Sequence, residues 1–146
     1  MRKICISLVL LLTFFTFGGC SIGDSQKKSE NKYNEISEIL ISNYLDSLSK
    51  KDIDGLEKYS TVEWGNGFDQ SVINELNKTL ESAKLLKYTI RESESDRIIV
   101  DAEVEVICYE NSIPAGDWQA GKSVSAKSFE LIKEDNEWKI NGWGSY

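Results

Sequence analysis

KSFELIKEDNEWKINGW, residues 127–143, reads as a β-hairpin. Two alternating runs flank Asp135-Asn136, a pair that tolerates the positive φ angles of a tight two-residue turn. With that pair at the turn, Glu134 faces Glu137, Lys133 faces Trp138, Leu131 faces Ile140 and Phe129 faces Gly142. This register gathers every large apolar side chain except Ile132 and Trp143 on one face. A slip of one residue would turn Phe129, Leu131, Trp138 and Ile140 outward, so the pattern specifies the pairing. An isolated hairpin is marginal in water, and the preceding chain must supply further strands and helices with apolar stripes.

Those elements can be read in order. Residues 31–49 carry a broad helical stripe of Tyr33, Ile36, Leu40, Ile41, Tyr44, Leu45 and Leu48, wide enough to bury more than one side. Asp52 is placed to cap a short second helix over residues 53–59, with Leu56 inward. Residues 61–70, TVEWGNGFDQ, break the period and bring Trp64 near Phe68. A third helix is expected over residues 71–84, with Val72, Ile73, Leu76, Leu80 and Ala83 on one face. From there the period becomes alternating. Leu86, Tyr88 and Ile90 face inward on a first strand; Val100, Ala102, Val104, Val106 and Cys108 do so on a second, with Asp101, Glu103 and Glu105 facing water. Residues 111–121, with the single proline, form a loop carrying Trp118. On the third strand Val124 and Ala126 have one parity, Phe129 and Leu131 the other. A β-bulge near Lys127-Ser128 would let both pairs face the core.

The first twenty residues have a different character. Arg2 and Lys3 precede an uncharged run over residues 4–17, followed by Gly18-Gly19, the three parts of a secretory signal. The run is short for a permanent span. Gly18-Gly19-Cys20 resembles the end of a bacterial lipobox, with Phe17 where an aliphatic residue is usual. That resemblance implies cleavage after residue 19, acylation of Cys20, and a membrane-attached, extracytoplasmic protein. Acyl chains contribute ~0.8 kcal/mol per buried CH₂. Ser21 stands where an Asp would suggest inner-membrane retention, so in a host with two membranes the resemblance implies the outer one. Loss of Arg2 and Lys3 takes the formal charge from -7 to -9. Residues 20–30 read as the lipidated cysteine and a flexible tether, and residues 31–146 as the folded domain. Cys5 leaves with the leader, so Cys108 has no thiol to pair with and reads as a small buried hydrophobe.

The runs ISNYLDSLSKKDIDGLEKYS (41–60) and SFELIKEDNEWKINGW (128–143) resemble the opening and closing segments of the NTF2-like superfamily. In that superfamily a long helix, a polar break and a short helix lead into a meander that ends on a Phe-x-Leu … Trp-x-Ile strand pair. The resemblance covers about residues 31–146. It implies an α+β cone in which three N-terminal helices pack on a strongly curved four-stranded antiparallel sheet. The superfamily holds enzymes such as ketosteroid isomerase and scytalone dehydratase beside non-catalytic binding domains, and fold alone does not choose among them.

The residue inventory narrows the choice. With no histidine, His-based acid–base and nucleophilic chemistry and most zinc sites are excluded. No calcium-loop spacing occurs, and no metal or cofactor is expected. Nucleic acid is a poor partner for an acidic chain without a basic cluster. The favoured reading is a non-catalytic, lipid-anchored domain that binds an envelope protein or a small apolar ligand. An enzyme built on a carboxylate–tyrosine pair in the cone is the alternative, with Tyr44, Tyr88 or Tyr109 as hydrogen-bond donor; a structural subunit of an envelope complex is the third. Trp64, Phe68, Trp118, Tyr44 and Tyr88 are the ligand-pocket candidates, and Ile107, Tyr109, Ile132 and Trp143 the outer partner patch. Asp101, Glu103 and Glu105 argue for a monomer over a sheet-to-sheet dimer, because like charges would be desolvated.

Overall fold

The computed structural model describes residues 22–114, 116 and 118–145, with the backbone alone for residues 22–30. The signal segment and Cys20 lie outside the described residues. Four helices, α1 (Ile22–Lys50), α2 (Ile53–Tyr59), α3 (Val62–Gly65) and α4 (Gln70–Thr79), precede four strands, β1 (Leu80–Ser93), β2 (Arg97–Cys108), β3 (Gly121–Glu134) and β4 (Glu137–Gly144). The strands form one antiparallel sheet in the order β1-β2-β3-β4.

α1 buries Leu40, Ile41, Tyr44, Leu45 and Leu48, the stripe expected from its period. It begins at Ile22, so residues 22–30 are helical and not the flexible tether read from their composition. Its end is a Schellman motif: Asp52 N–H donates to the Ser47 carbonyl and Lys51 N–H to the Leu48 carbonyl, with Lys51 at φ 57°. α2 follows directly and buries Leu56. Inside the segment read as loop, α3 makes one turn, with Thr61 Oγ1 accepting from Trp64 N–H at 3.2 Å. Asp69 caps α4 by accepting from the amides of Ser71 and Val72.

α4 ends at Thr79, five residues before the end read from the sequence, because Leu80 already pairs with Cys108. Register shifts between Leu80 and Ser82 and between Leu85 and Lys87 each insert a residue into β1. The inward positions therefore run Leu80, Ala83, Leu85, Tyr88 and Ile90, and the gaps of three imitate a helical period. Leu86 occupies a bulge and is 45% exposed, not inward.

β2 and β3 pair without interruption from Arg97–Ile132 to Cys108–Gly121. The bulge expected near Lys127-Ser128 is absent. Alternation carries straight on from Leu131 and Phe129 to Lys127 and Ser125, both buried, and leaves Val124 54% exposed.

The hairpin pairs as expected from Glu134–Glu137 to Leu131–Ile140, with Asp135 and Asn136 at positive φ. Beyond that, Asn141 bulges, so that Glu130 faces Gly142 and Phe129 faces Trp143. Asn141 is held from both sides: its amide donates to Glu130 at 2.9 Å and its carbonyl accepts from Thr61 Oγ1 at 3.2 Å. Glu130 also accepts from Arg97 at 2.7 Å, and the two hydrogen bonds, Asn141's first, hold its carboxyl below the usual carboxylate range. The bulge turns Trp143 inward, where its ring stacks on Phe129 at 5.3 Å between centroids and 9° between planes. Trp143 is thus partly buried against the core and not in an outer patch.

Candidate functional site

The closed part of the cone is filled. Tyr44, Phe129, Leu131, Ile140, Val100 and Ile98 are fully buried, and no acid lies among them. Tyr44 sits at the centre of an aromatic cluster, edge-on to Phe68 and to Trp143, each at 6.2 Å. Trp64 meets Phe68 edge-on at 6.3 Å and donates its indole N–H to the Tyr44 hydroxyl at 3.3 Å. Burial pushes the Tyr44 phenol up to about 12, against the smaller effect of its indole partners. It is a neutral phenol at any physiological pH. Trp64, Phe68 and Tyr44 thus close one end of the filled core.

Beyond this cluster the cone opens. Between α4, the β2–β3 loop and the inner faces of β3 and β4 lies a cavity of about 470 Å³, in the size range of small-molecule sites. Val72 and Leu76 of α4 form one wall, Trp143 the opposite one, and Trp118 and Ile113 the loop side, with Ser71, Glu75, Thr79, Lys127 and Gly144 completing the lining. Trp118 lies 6.2 Å from Trp143. Ile113 is 94% exposed, a large apolar side chain left in water at the rim. Glu75, also at the rim, pairs with Lys78 at 2.7 Å.

Lys127 is the residue that sequence reasoning missed. Its side chain is on the inward parity of β3 and the residue is only 5% exposed. Its ammonium lies 5.4 Å from the centroid of the Trp143 ring and donates to Ser145 Oγ at 3.1 Å. Plain alternation from Phe129 would have placed it inward. The same face continues to Ser125, which is buried, and to Ser123, whose hydroxyl is buried without a hydrogen-bond partner among the described residues. The inward face of β2 is thus apolar from Ile98 to Cys108, whereas that of β3 turns from Leu131 and Phe129 to Lys127, Ser125 and Ser123.

The remaining candidates separate. Of the five pocket residues, Trp118 alone lines the cavity. Tyr88 stands apart, its hydroxyl donating to the Asn34 carbonyl at 3.1 Å and facing Glu38 at 3.4 Å. In the partner patch, Ile107 pairs with Lys122 and Ile132 with Arg97, at opposite ends of the sheet, about 30 Å apart at ~3.3 Å per residue. Only Tyr109, next to Ile107 and 42% exposed, remains near another member. The convex face is a mosaic of cross-strand pairs: Lys87–Glu103 at 2.7 Å, Arg91–Asp101 at 3.3 Å and Lys122–Glu105 at 2.6 Å. Each of the three acids counted as like charges is matched by a base. A second concave region, of about 400 Å³, lies between α1 and β4 and includes Ile36, Ile39, Tyr59 and Trp138. Among the described residues no group of three or more Cys, Asp or Glu is arranged to hold a metal ion, and no helix is long and apolar enough to cross a membrane.

A sheet curved around a long helix, with a cavity at its open end, defines the NTF2-like, or cystatin-like, fold, and solved structures agree. An NTF2-like superfamily protein from Salmonella enterica serovar Typhimurium superposes with a TM-score of 0.56 at 15% identity, over 84% of this chain and 94% of that one. A protein of unknown function with a cystatin-like fold from Nostoc punctiforme gives 0.55 at 10% identity, over 73% and 84%. An NTF2-like protein from Novosphingobium aromaticivorans gives 0.52 at 12% identity, over 84% and 86%. No protein-family model matches the sequence, and no curated protein does. At these identities the likeness is one of fold alone.

Proposed function

We propose that the chain is a lipid-anchored, extracytoplasmic binding module whose ligand is a small, planar, apolar molecule held in the mouth cavity. The observation that carries the binding half is the cavity itself: about 470 Å³, walled by Trp118, Trp143, Val72, Leu76 and Ile113. Apolar side chains left around an unfilled volume forgo contacts that the rest of this core makes, and a flat apolar ligand between the two indoles and α4 supplies them. The anchor rests on Arg2-Lys3, the apolar run and Gly18-Gly19-Cys20. With α1 starting at Ile22, the chain from there to Tyr33 is roughly 16 Å of helix, a stalk in place of a tether.

A non-catalytic role suits the lining. Among the described residues lining the cavity, no carboxylate meets a phenol: Glu75 sits beside Lys78, the Tyr44 hydroxyl is engaged by Trp64, and the Tyr88–Glu38 contact lies outside the cavity.

Titrating the folded domain with the neutral probe 2-naphthamide and following tryptophan emission tests the binding half. Saturable binding is expected, and Trp118→Ala should weaken it about tenfold, the loss of one stacking wall. An unchanged isotherm in Trp118→Ala would move the site elsewhere. For the anchor, the mass of the N-terminal peptide from isolated membranes should show acylated Cys20; an unmodified N-terminus would remove that half of the proposal.

A further inference from the structure

The place of the cavity along α1 decides which side of the protein it serves. α1 is one uninterrupted helix from Ile22 to Lys50, and the body is arranged along it in a fixed order. Toward its N-terminal end, Tyr33 meets Trp138 edge-on at 6.1 Å and the Asn34 carbonyl accepts from the Tyr88 hydroxyl at 3.1 Å. The β1–β2 and β3–β4 turns lie at this end, joined by Lys133 N–H donating to the Asp96 carbonyl at 2.8 Å. Toward its C-terminal end, Ser49 Oγ accepts from the Ala83 amide at 2.8 Å. There Leu80 pairs with Cys108, and Tyr109 N–H donates to the Thr79 carbonyl at 3.0 Å. These contacts carry α4 and the β2–β3 loop, and with them the cavity, to the C-terminal end of α1. From Ile22 to Ser49 is roughly 40 Å of helix. β2 alone spans about 36 Å between the two ends of the body at ~3.3 Å per residue.

On the reading of Cys20 as the anchor and of this cavity as a ligand site, we infer that the mouth opens on the side away from the membrane. Its ligand is then an apolar molecule carried in water, not a lipid drawn from the bilayer that holds the protein. Ser21 alone separates Cys20 from the helix, so anchor and cavity belong to opposite ends of one rod. The formal charge of -9 left after cleavage is repelled by an anionic leaflet over a Debye length of about 8 Å, which favours the upright arrangement. The mouth is also unsuited to lipid. Glu75 and Lys78 stand exposed on α4, and Glu110 on the loop that carries Ile113 and Trp118; pressing them into hydrocarbon would strip their hydration. Ile113, 94% exposed at the rim, offers apolar contact to a molecule arriving through water.

The acylated protein, purified from membranes and placed on phosphatidylcholine vesicles, tests this. Bromine on the acyl chains quenches indoles that touch lipid. Tryptophan emission should be the same on brominated and plain vesicles, apart from any loss at Trp138, toward the anchored end, which Trp138→Phe should remove. 2-Naphthamide should bind on vesicles with the affinity it has for the detergent-solubilised protein, within about twofold. Transfer of pyrene-labelled phosphatidylcholine between vesicles should not be accelerated by the protein. Quenching that Trp118→Phe removes, or accelerated lipid transfer, overturns the inference and leaves the anchor and the site standing. If Trp118→Phe alters the near-ultraviolet circular dichroism, the lipid-transfer arm decides. Failure of 2-naphthamide to bind in either setting removes the site, and failure of the protein to stay on the vesicles removes the anchor; each takes the inference with it.

Discussion

β2 and β3 lie side by side in continuous register, yet their inward faces differ. On β2, Ile98, Val100, Ala102, Val104, Val106 and Cys108 are apolar from end to end, and all are buried. On β3, Leu131 and Phe129 face the core, and the next inward residues are Lys127, Ser125 and Ser123. Twist, pairing and layer are common to both strands, so secondary structure does not account for the difference. What lies above them does. Phe129 and Leu131 belong to the same buried core as α1 and β2, whereas Lys127 borders the cavity between α4 and the β2–β3 loop. Where sequence preference and burial disagree inside an otherwise consistent fold, the disagreement points to function more than to stability.

Substitutions at adjacent inward positions of β3 should part most widely. Phe129→Ala removes a fully buried ring and the stack under Trp143, and should cost about 3–5 kcal/mol in denaturant unfolding. Lys127→Met, one inward position on, should cost under about 2 kcal/mol. Equal losses would mean that the lysine is structural and the two halves of β3 are alike. A smaller effect should separate the strands at a single rung. Val104→Ser puts a hydroxyl into the apolar face and should lose about 1–3 kcal/mol, while Ser125→Val, its cross-strand neighbour, should be neutral or stabilising. A loss at Ser125 matching that at Val104 would dissolve the contrast.

The smallest effect concerns the boundary between the two regions, Tyr44. Because burial raises its phenol to about 12, above the unfolded value near 10, the folded state holds a proton that the unfolded state releases. The contribution is complete below about pH 10 and is lost as pH climbs toward 12. Tyr44→Phe, which strands the Trp64 indole N–H, should be less stable than wild type by about 1 kcal/mol at neutral pH. That gap should shrink above pH 10 in pH-dependent unfolding. A constant gap would mean that the hydroxyl reaches solvent.

Much of the architecture was readable from alternation and period: the turn at Asp135-Asn136, the hairpin register to Ile140, the buried stripe of α1 and the span of α2. The misreadings within the sheet have one physical cause, which is that a bulge and a change of period look alike in sequence. In β1 two bulges space inward residues by three, so Leu80 and Ala83 resembled the end of a helix. In β3 a bulge was invoked to bury Val124 and Ala126, when unbroken alternation was correct and placed Lys127 inside. Asn141-Gly142 carries no signal that distinguishes a bulge from a paired step, so Trp143 was assigned to the wrong side of the sheet. Of the five aromatics expected at a pocket only Trp118 lines the cavity, while Tyr44, Trp64 and Phe68 meet in the core; the cavity was not legible, since Val72, Leu76, Lys127 and Trp143 come to it through register and helix packing rather than residue type.

Mapping amide and indole shifts by ¹H–¹⁵N NMR while adding 2-naphthamide tests the central claim most directly, that the cavity between α4, Trp118 and Trp143 is a ligand site. The account predicts perturbations at Lys127, the Trp118 and Trp143 indoles, Val72 and Leu76, with Val100 and Ala102 on β2 unmoved. Perturbations confined to Ile39 and Trp138, or to the convex face at Val124, would contradict it.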